Sequence, residues 1–394
     1  MKTAEPTQSR IPELDGIRGL AISLVLFVHF VPGSLPDAIR STPFWRAMGA
    51  LGGSGVDLFF VLSGFLIGGI LLDHRDSEHY FKSFYIRRGC RILPAYLLSL
   101  ASFVVFRWLL ANSHSSHGWQ YEVFLEGGMP LWANLTFTQN ILGPIAHHYN
   151  PDWLVVNWSL VIEEQFYLIL PLAIWLFRPA TVVKISLVLI CLAPAVELWL
   201  CIFKPMAYPA VSGMIPLRGG GLLVGVLCAY ALRQDRLRTW IEQNTSQLSV
   251  MFIVLLAGDV FIEANYSRNT FEYERILFFN TWIDLFYSFL LLLTIIEKNG
   301  FIAPLMRFPP LRKLGVISYS VYLFHKPIND LLHGLLLGKD WKYQQTTDVL
   351  VTLLALLLTL SFARVSWRFL EKPIVKWGHS VKYGQPKSKA PRGE

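Results

Sequence analysis

Three ionisable residues in an apolar stretch near the start of the chain, Asp15, Arg18 and His29, have the spacing of one helix face. At about 100° per residue they fall within roughly 60° of one another around the helix axis. A histidine on such a face can accept a proton from a substrate or attack the substrate as a nucleophile. The alternative is a histidine that is satisfied by packing against a neighbouring helix, and this stretch alone leaves both interpretations open.

A second set consists of three arginines within five residues, Arg87, Arg88 and Arg91, at the start of another apolar segment. Guanidinium groups bind phosphate through paired, charge-assisted hydrogen bonds. The cluster therefore predicts a site for a phosphorylated ligand. Anchoring of the helix end to lipid head groups is the alternative interpretation.

The third set, Ser159, Glu163 and Tyr167, repeats at i, i+4 spacing and shares one face of an apolar helix. Glu164 follows directly, and two adjacent carboxylates in an apolar run are hard to explain by packing. Ionisable groups inside a membrane face a bundle interior or a cavity. This pattern favours a functional role for Glu163.

The fourth set, Ser318, Tyr322 and His325, forms a similar stripe on a later helix. His325 is either a hydrogen-bond partner for neighbouring groups or a catalytic residue, and the sequence does not decide between these roles. Four further histidines occupy one long loop without acidic or cysteine partners at metal-ligand spacing, so we predict no metal site. They are His114, His117, His147 and His148.

Apolar helices must position all four sets. The chain has 394 residues, of which 53% are hydrophobic and 16% charged, whereas a soluble domain has about 25% charged residues. We therefore predict an all-α fold, a polytopic membrane bundle of about ten transmembrane helices. The ten segments are residues 17–32, 51–73, 92–112, 157–177, 181–203, 217–233, 247–264, 276–297, 312–337 and 347–369.

The charges of the connecting loops predict the orientation of the bundle. Residues 113–156 contain no lysine or arginine, whereas the loops on the other side are rich in both. By the positive-inside rule, both termini are expected to be cytoplasmic. The net charge of +8 then marks topology and not a nucleic-acid surface. We expect residues 1–380 to form the transmembrane domain and residues 381–394 a flexible cytoplasmic tail.

The rise of about 1.5 Å per helical residue gives the depth of each candidate residue in the membrane. With the topology above, His29 and Glu163 lie in the outer half of the membrane, Glu163 about 9 Å below the outer surface. Arg88 and its neighbours lie at the cytoplasmic mouth. The sequence therefore predicts that Glu163 is close to His29 and far from the arginines.

In their order along the chain, these sets resemble the integral-membrane acyltransferase-3 family, whose members transfer acyl groups from acyl-CoA to glycans and related acceptors. Any one matching block is weak evidence, but the ordered set is specific to the family. One departure is Lys372, where the family often has arginine. The matching blocks are residues 14–19 with His29, 55–67, 88–94, 158–167, 318–325 and 371–373.

The resemblance implies that His29 carries out the acyl transfer and that Arg18, Arg88 and Arg91 bind the cytosolic acyl-CoA. It also implies a co-substrate that is commonly acetyl-CoA and a multi-pass location in a bacterial cytoplasmic membrane, in contact with lipid. The acceptor would be a hydroxyl of a glycan, a lipid-linked sugar or a related molecule on the outer side.

The remaining residues are expected to support this chemistry. Asp15 is about 21 Å along the helix from His29, so we expect it to hold Arg18 or an arginine of the second set. Glu163 is the candidate for orienting His29 or for holding the acceptor, and His29 could act as base or as nucleophile. Supporting positions are Arg87, Ser159, Tyr167, Ser318, Tyr322 and His325.

The main rival function is a polytopic transporter or flippase of a lipid-linked sugar or an organic acid. A polar-lined bundle with a basic cytoplasmic mouth would serve that function as well. A purely structural or receptor-like membrane protein leaves the polar stripes unexplained. Consumption of a thioester separates the enzyme from both rivals, because only the enzyme releases free coenzyme A thiol.

Overall fold

The structure is a computed structural model that describes residues 11–111, 118–203, 215–265 and 272–385. Over these ranges the chain is helical, without strands, and one isolated bridge joins Gly128 to Tyr149. The ten longest elements that frame the fold are α1 Pro12–Phe30, α2 Gly55–Asp73, α3 Tyr80–Ala111, α4 Asn157–Leu176, α5 Pro179–Phe203, α6 Gly220–Ala231, α7 Thr245–Asn265, α8 Glu272–Ile296, α9 Pro309–Leu337 and α10 Thr346–Ser366.

Shorter helices connect these ten. They are Asp37–Arg40, Pro43–Gly53, Trp119–Phe124, Leu131–Leu135, Gln139–Ala146, Ile215–Arg218, Asp235–Gln243, Ile302–Met306 and Lys372–Ser380, with single 3-10 turns at Pro32–Ser34 and Asp152–Leu154.

Each of the ten segments predicted from the sequence falls on a helix, which confirms the all-α class. In the described part of the chain, six helices are long and apolar enough to cross a membrane. A seventh span is obtained if Asp235–Gln243 and Thr245–Phe261, which meet at a 73° bend, are counted as one. α6 has only 12 residues, fewer than the roughly 20 that a spanning helix needs. The count of ten spans and the cytoplasmic termini therefore stay predictions.

Glycines bring α1 and α9 into backbone contact. A Cβ atom at Gly19 of α1 would overlap the carbonyl oxygen of Leu311, and one at Gly315 of α9 would overlap the carbonyl oxygen of Asp15. Membrane helices approach this closely only where small residues face each other. The crossing places the polar faces of α1 and α9, which the sequence predicts separately, side by side.

A second close crossing joins α2 to α6. Gly64 of α2 lies against the backbone of Leu222, and Gly225 of α6 lies against the backbone of Val61. Side chains larger than hydrogen would force these two helices apart. The crossing fixes the wall of α2 that faces the candidate site.

The C-terminal residues pack against the first half of α3. Ser83 Oγ donates a hydrogen bond to the carbonyl oxygen of Lys382 at 2.7 Å, and Tyr383 is only 3% exposed. Residues 381–385, the beginning of the predicted tail, are therefore packed on the bundle. Residues 386–394, the rest of that tail, lie outside the described residues, as do His114 and His117 of the long loop.

Candidate active site

Side chains from all four predicted sets line one cavity between α1, α2, α3, α4 and α9. Its empty space is about 780 Å³, including the part that is open to solvent. Apolar residues of α2 form much of the wall. The polar lining consists of Arg18, Ser63, Arg88, Arg91, Ser159, Glu163, Ser318, Tyr319 and Tyr322.

Asp15 holds Arg18 on α1. Arg18 Nη1 donates a hydrogen bond to Asp15 Oδ1 at 2.9 Å, and Asp15 is 4% exposed. This is one of the two partners that the sequence predicts for Asp15. The ion pair keeps the guanidinium of Arg18 at the cavity wall.

Arg88 is held by the aromatic ring and hydroxyl of Tyr167. Its guanidinium lies 4.0 Å from the centroid of that ring, and Arg88 Nη2 donates a hydrogen bond to the Tyr167 hydroxyl. The same hydroxyl is hydrogen-bonded to Ser63. Glu163 lies beside Tyr167 and Ser63, so one polar network joins α2, α3 and α4.

The expectation that Glu163 lies far from the arginines is wrong. Glu163, Arg18 and Arg88 line the same cavity, and the charges of Glu163 and Glu164 act on Arg88. The difference arises from the start of α3, which the sequence predicts at residue 92 but which lies at Tyr80. The arginines therefore lie about two to three turns inside the helix, at the depth of Glu163, and not at its mouth.

Arg87 faces away from the cavity, unlike its neighbours. Its Nε donates to the carbonyl oxygen of Val381 at 2.8 Å, and its guanidinium lies 4.8 Å from the centroid of the Tyr383 ring. Arg87 thus fastens the C-terminal residues to α3. Only Arg88 and Arg91 of the predicted cluster reach the cavity.

Ser159 and Tyr322 close the cavity between α4 and α9. Their hydroxyl oxygens are 2.6 Å apart, and the Tyr322 hydroxyl also donates to the carbonyl oxygen of Val156 at 3.0 Å. The ring of Tyr322 is 6.0 Å from that of His325, measured between centroids. Tyr322 therefore connects the cavity to the histidines behind it.

His29 and His325 form a pair, with ring centroids 4.8 Å apart in an edge-to-face arrangement. The Nδ1 atom of His29 lies 2.8 Å from the Val25 carbonyl oxygen, and that of His325 lies 2.7 Å from the Tyr322 carbonyl oxygen. A carbonyl oxygen only accepts, so each Nδ1 carries the hydrogen and each Nε2 is left as a proton acceptor. The Nε2 atom of His325 is buried and has no hydrogen-bond partner among the described residues.

The neighbour of His29 is thus His325, not Glu163, whose contacts are with Tyr167 and Ser63. Among the described residues, Tyr322 lines the cavity but neither histidine does. Arg18 and His29 are eleven residues apart on α1, or about 16 Å. The site therefore has two parts, a basic cavity and an imidazole pair, with Tyr322 between them.

Sequence reasoning assigned no role to several residues that the structure brings into or beside the site. Ser63 and Tyr319 line the cavity. Lys326, next to His325 in the chain, donates hydrogen bonds to Asp152 and Asp330 at 2.9 Å each. Ser63 and Tyr319 lie in apolar or aromatic runs. In the sequence, only the blocks that match the acyltransferase-3 family, residues 55–67 and 318–325, single them out.

The profile of the family described as acyltransferase domain matches residues 11–368. YrhL of Bacillus subtilis strain 168, provisionally named a peptidoglycan O-acetyltransferase, is 30% identical over 384 residues, which cover 92% of this chain and 55% of YrhL. The peptidoglycan O-acetyltransferase OatA of Listeria monocytogenes is 27% identical over 395 residues, 96% of this chain and 58% of OatA.

The O-acetyltransferase OatA of Staphylococcus aureus strain MRSA252 is 25% identical over 395 residues, 96% of this chain and 60% of that protein. The chain thus spans little more than half the length of the curated relatives it matches. No solved structure matches it significantly. The profile covers nearly the whole chain, and on that evidence the protein belongs to the acyltransferase-3 family.

Proposed function

We propose that the protein is a membrane O-acetyltransferase that moves an acetyl group from acetyl-CoA to a hydroxyl of a glycan. The observation that carries the proposal is the junction of an arginine-lined cavity with a buried imidazole pair through Tyr322. The names of the relatives support acetyl as the acyl group. They also favour a cell-wall glycan such as peptidoglycan as the acceptor.

The basic cavity suits the phosphates of coenzyme A. Arg18, Arg88 and Arg91 supply three guanidinium groups to one cavity. The Nε atom of Arg88 is buried and has no hydrogen-bond partner in the described part of the chain. It is a donor available to an anion, and guanidinium groups bind phosphate bidentately.

His29 is the proposed catalytic residue. Its Nε2 accepts the proton of the acceptor hydroxyl while the hydroxyl oxygen attacks the thioester carbonyl, and the carbon–sulfur bond breaks. The proton then passes from His29 to the departing thiolate, which leaves as free thiol. In the alternative mechanism, His29 first takes the acetyl group as a nucleophile and then passes it to the acceptor hydroxyl.

His325 supports this chemistry in the proposal. Its unpartnered Nε2 lies in the ring next to His29 and can accept a hydrogen bond once His29 is protonated. A protonated imidazole in an apolar bundle is costly unless a partner stabilises it. We assign His325 to that stabilisation.

We further propose a sidedness for the reaction. The loop charges favour cytoplasmic termini in a bacterial cytoplasmic membrane, and with that topology the donor enters from the cytoplasm. The helix rise from Arg18 to His29 places the imidazole pair closer to the outer face. The acceptor would then be reached from outside.

Release of coenzyme A thiol tests the proposal. Purified protein in detergent is incubated with acetyl-CoA and a soluble peptidoglycan fragment, and free thiol is titrated. We expect thiol release that depends on the acceptor, with an equal amount of acetyl ester formed on it. A transporter or flippase would release no thiol, and that result would overturn the proposed function.

A further inference from the structure

Glu371 is a fully buried carboxylate at 0% exposure that takes no part in the mechanism above. Its Oε1 atom accepts hydrogen bonds from Ser320 Oγ at 2.7 Å and from Ser366 Oγ at 3.3 Å. Its Oε2 atom lies 3.7 Å from Nη1 of Arg91. That oxygen has no hydrogen-bond partner within the described ranges.

The first and last residues of one short π-helical turn both contact Arg91. Residues Trp367–Glu371 form a π-helical turn between α10 and the last helix, a distortion that is frequent at functional sites. The guanidinium of Arg91 lies 5.2 Å from the centroid of the Trp367 ring. The first residue of the turn thus stacks on Arg91, and the last one faces it with a carboxylate.

The contact is an ion pair at a distance longer than a charge-assisted hydrogen bond. Such bonds are typically about 2.7–2.9 Å long, against 3.7 Å here. Glu371 therefore balances the charge of Arg91 without engaging its donors in a bidentate pair. Those donors stay available to the cavity, which Arg91 lines.

Repulsion within the cavity explains why a carboxylate is needed. The charges of Arg88 and Arg18 act on each other and on Arg91, and all three guanidinium groups lie at one cavity. Like charges at close range in a partly dry site are strongly destabilising. Without Glu371, and with no anion bound, the repulsion between Arg91 and the other two guanidinium groups would be relieved if Arg91 turned away from them.

We propose that Glu371 is a positioning residue, which holds Arg91 in the orientation that binds the phosphates of the donor. This inference rests on the proposed function. Glu371 does not touch the donor in this account and acts only through Arg91. A merely structural carboxylate would support folding but would not set the affinity for coenzyme A.

The test is the affinity for coenzyme A of Glu371→Gln in the full-length protein, measured by titration in detergent. Glutamine keeps an oxygen for the two serines and removes the charge. We expect the Kd for coenzyme A and the KM for acetyl-CoA to rise about tenfold, as the loss of one charged interaction would produce, with kcat changed less than about twofold. The matched control is Ser366→Ala, which removes the 3.3 Å hydrogen bond to Glu371 and the 3.1 Å hydrogen bond from Ser320 but leaves the carboxylate. Its Kd should stay within about twofold of wild type.

A double variant shows whether Glu371 acts through Arg91. If it does, Glu371→Gln combined with Arg91→Ala binds coenzyme A no more weakly than Arg91→Ala alone. Additive losses would overturn the inference. So would a lower melting temperature of Glu371→Gln with an unchanged Kd, which would leave the proposed function intact.

Two further outcomes are also decisive. If the wild-type protein itself binds no coenzyme A, the donor assignment fails and this inference fails with it. If Glu371→Gln does not fold, Glu371→Asp keeps the charge but draws it back from Arg91. We then expect weaker binding of coenzyme A that is not additive with Arg91→Ala, and additive losses would overturn the inference.

Discussion

At the scale of single residues, the proposed role of His29 as the proton acceptor rests on the hydrogen bonds of the imidazole pair. The hydrogen bonds of both Nδ1 atoms leave the Nε2 atoms of His29 and His325 as proton acceptors. Of the two residues, His29 is only partly buried, whereas His325 is fully enclosed. An acceptor hydroxyl can therefore approach His29 first.

We predict that His29→Ala folds but does not release thiol from acetyl-CoA in the presence of acceptor. A general base contributes about 10²- to 10⁴-fold to a rate, so the residual turnover should be far below a tenth of that of wild type. His325→Gln, measured in parallel, should reduce turnover less, because it only stabilises the protonated partner. Turnover of His29→Ala above about a tenth of wild type would remove His29 from the catalytic role.

Adjacent arginines provide a matched pair. Arg88→Ala should weaken coenzyme A binding by about 1.5–3 kcal/mol, the range for a hydrogen bond to a charged group. Arg87→Ala removes a cation of the same kind one residue away, but one that contacts Val381 and Tyr383. It should lower the melting temperature while the affinity for coenzyme A changes little. Equal losses of affinity in both variants would mean that the cluster acts only through its net charge.

At the scale of helices, we expect function to depend on the crossing of α1 and α9. Gly19→Leu would force the two backbones apart, because a Cβ at this position meets the main chain of Leu311. Overpacking of this kind typically costs about 1–3 kcal/mol. We expect a lower melting temperature together with a loss of thiol release, since His29 and His325 would separate.

The control for this crossing is Gly53→Ala. A Cβ at Gly53 meets no atom within 4 Å, and alanine is a better helix former than glycine. Its melting temperature and activity should match or slightly exceed those of wild type. If Gly19→Leu behaves as Gly53→Ala does, the close crossing is not needed for function.

The helices themselves were predictable because each one is a long apolar run bounded by charges or turns. The start of α3 is not predictable in the same way, because Arg87, Arg88 and Arg91 have the pattern of a loop in front of a helix. Charged residues look like a boundary in a hydropathy pattern, although a bundle can bury them when carboxylates and aromatic rings face them. A helix start predicted too late in the chain therefore places the arginines far from Glu163, whereas the structure brings them together.

The candidate site was predictable as a set of residues but not as a set of contacts. Periodicity shows which residues share a face of one helix, and it says nothing about which faces meet. The pairings of His29 with His325, of Ser159 with Tyr322 and of Glu371 with Arg91 all join different helices. The first of them depends on the glycine crossing of α1 and α9, whose partners cannot be recognised in a single sequence.

At the scale of the whole molecule, the central claim is that one bundle joins a donor site to an acceptor site across the membrane. We propose from the loop charges that the basic cavity opens toward the cytoplasm, and in that topology the rise of α1 directs His29 toward the opposite face. A donor bound to the arginines must then present its thioester near the far side. Acetyl-CoA and the acceptor would approach from opposite faces.

Sidedness in vesicles tests this claim most directly. The protein is reconstituted in one known orientation, acetyl-CoA and a soluble peptidoglycan fragment are supplied on chosen sides, and acetyl ester on the fragment is measured, with His29→Ala vesicles as the control. We predict ester formation when acetyl-CoA is on the cytoplasmic face and the fragment is on the opposite face, and none when the two are exchanged. Ester formation with both substrates confined to the cytoplasmic face would contradict transfer across the membrane.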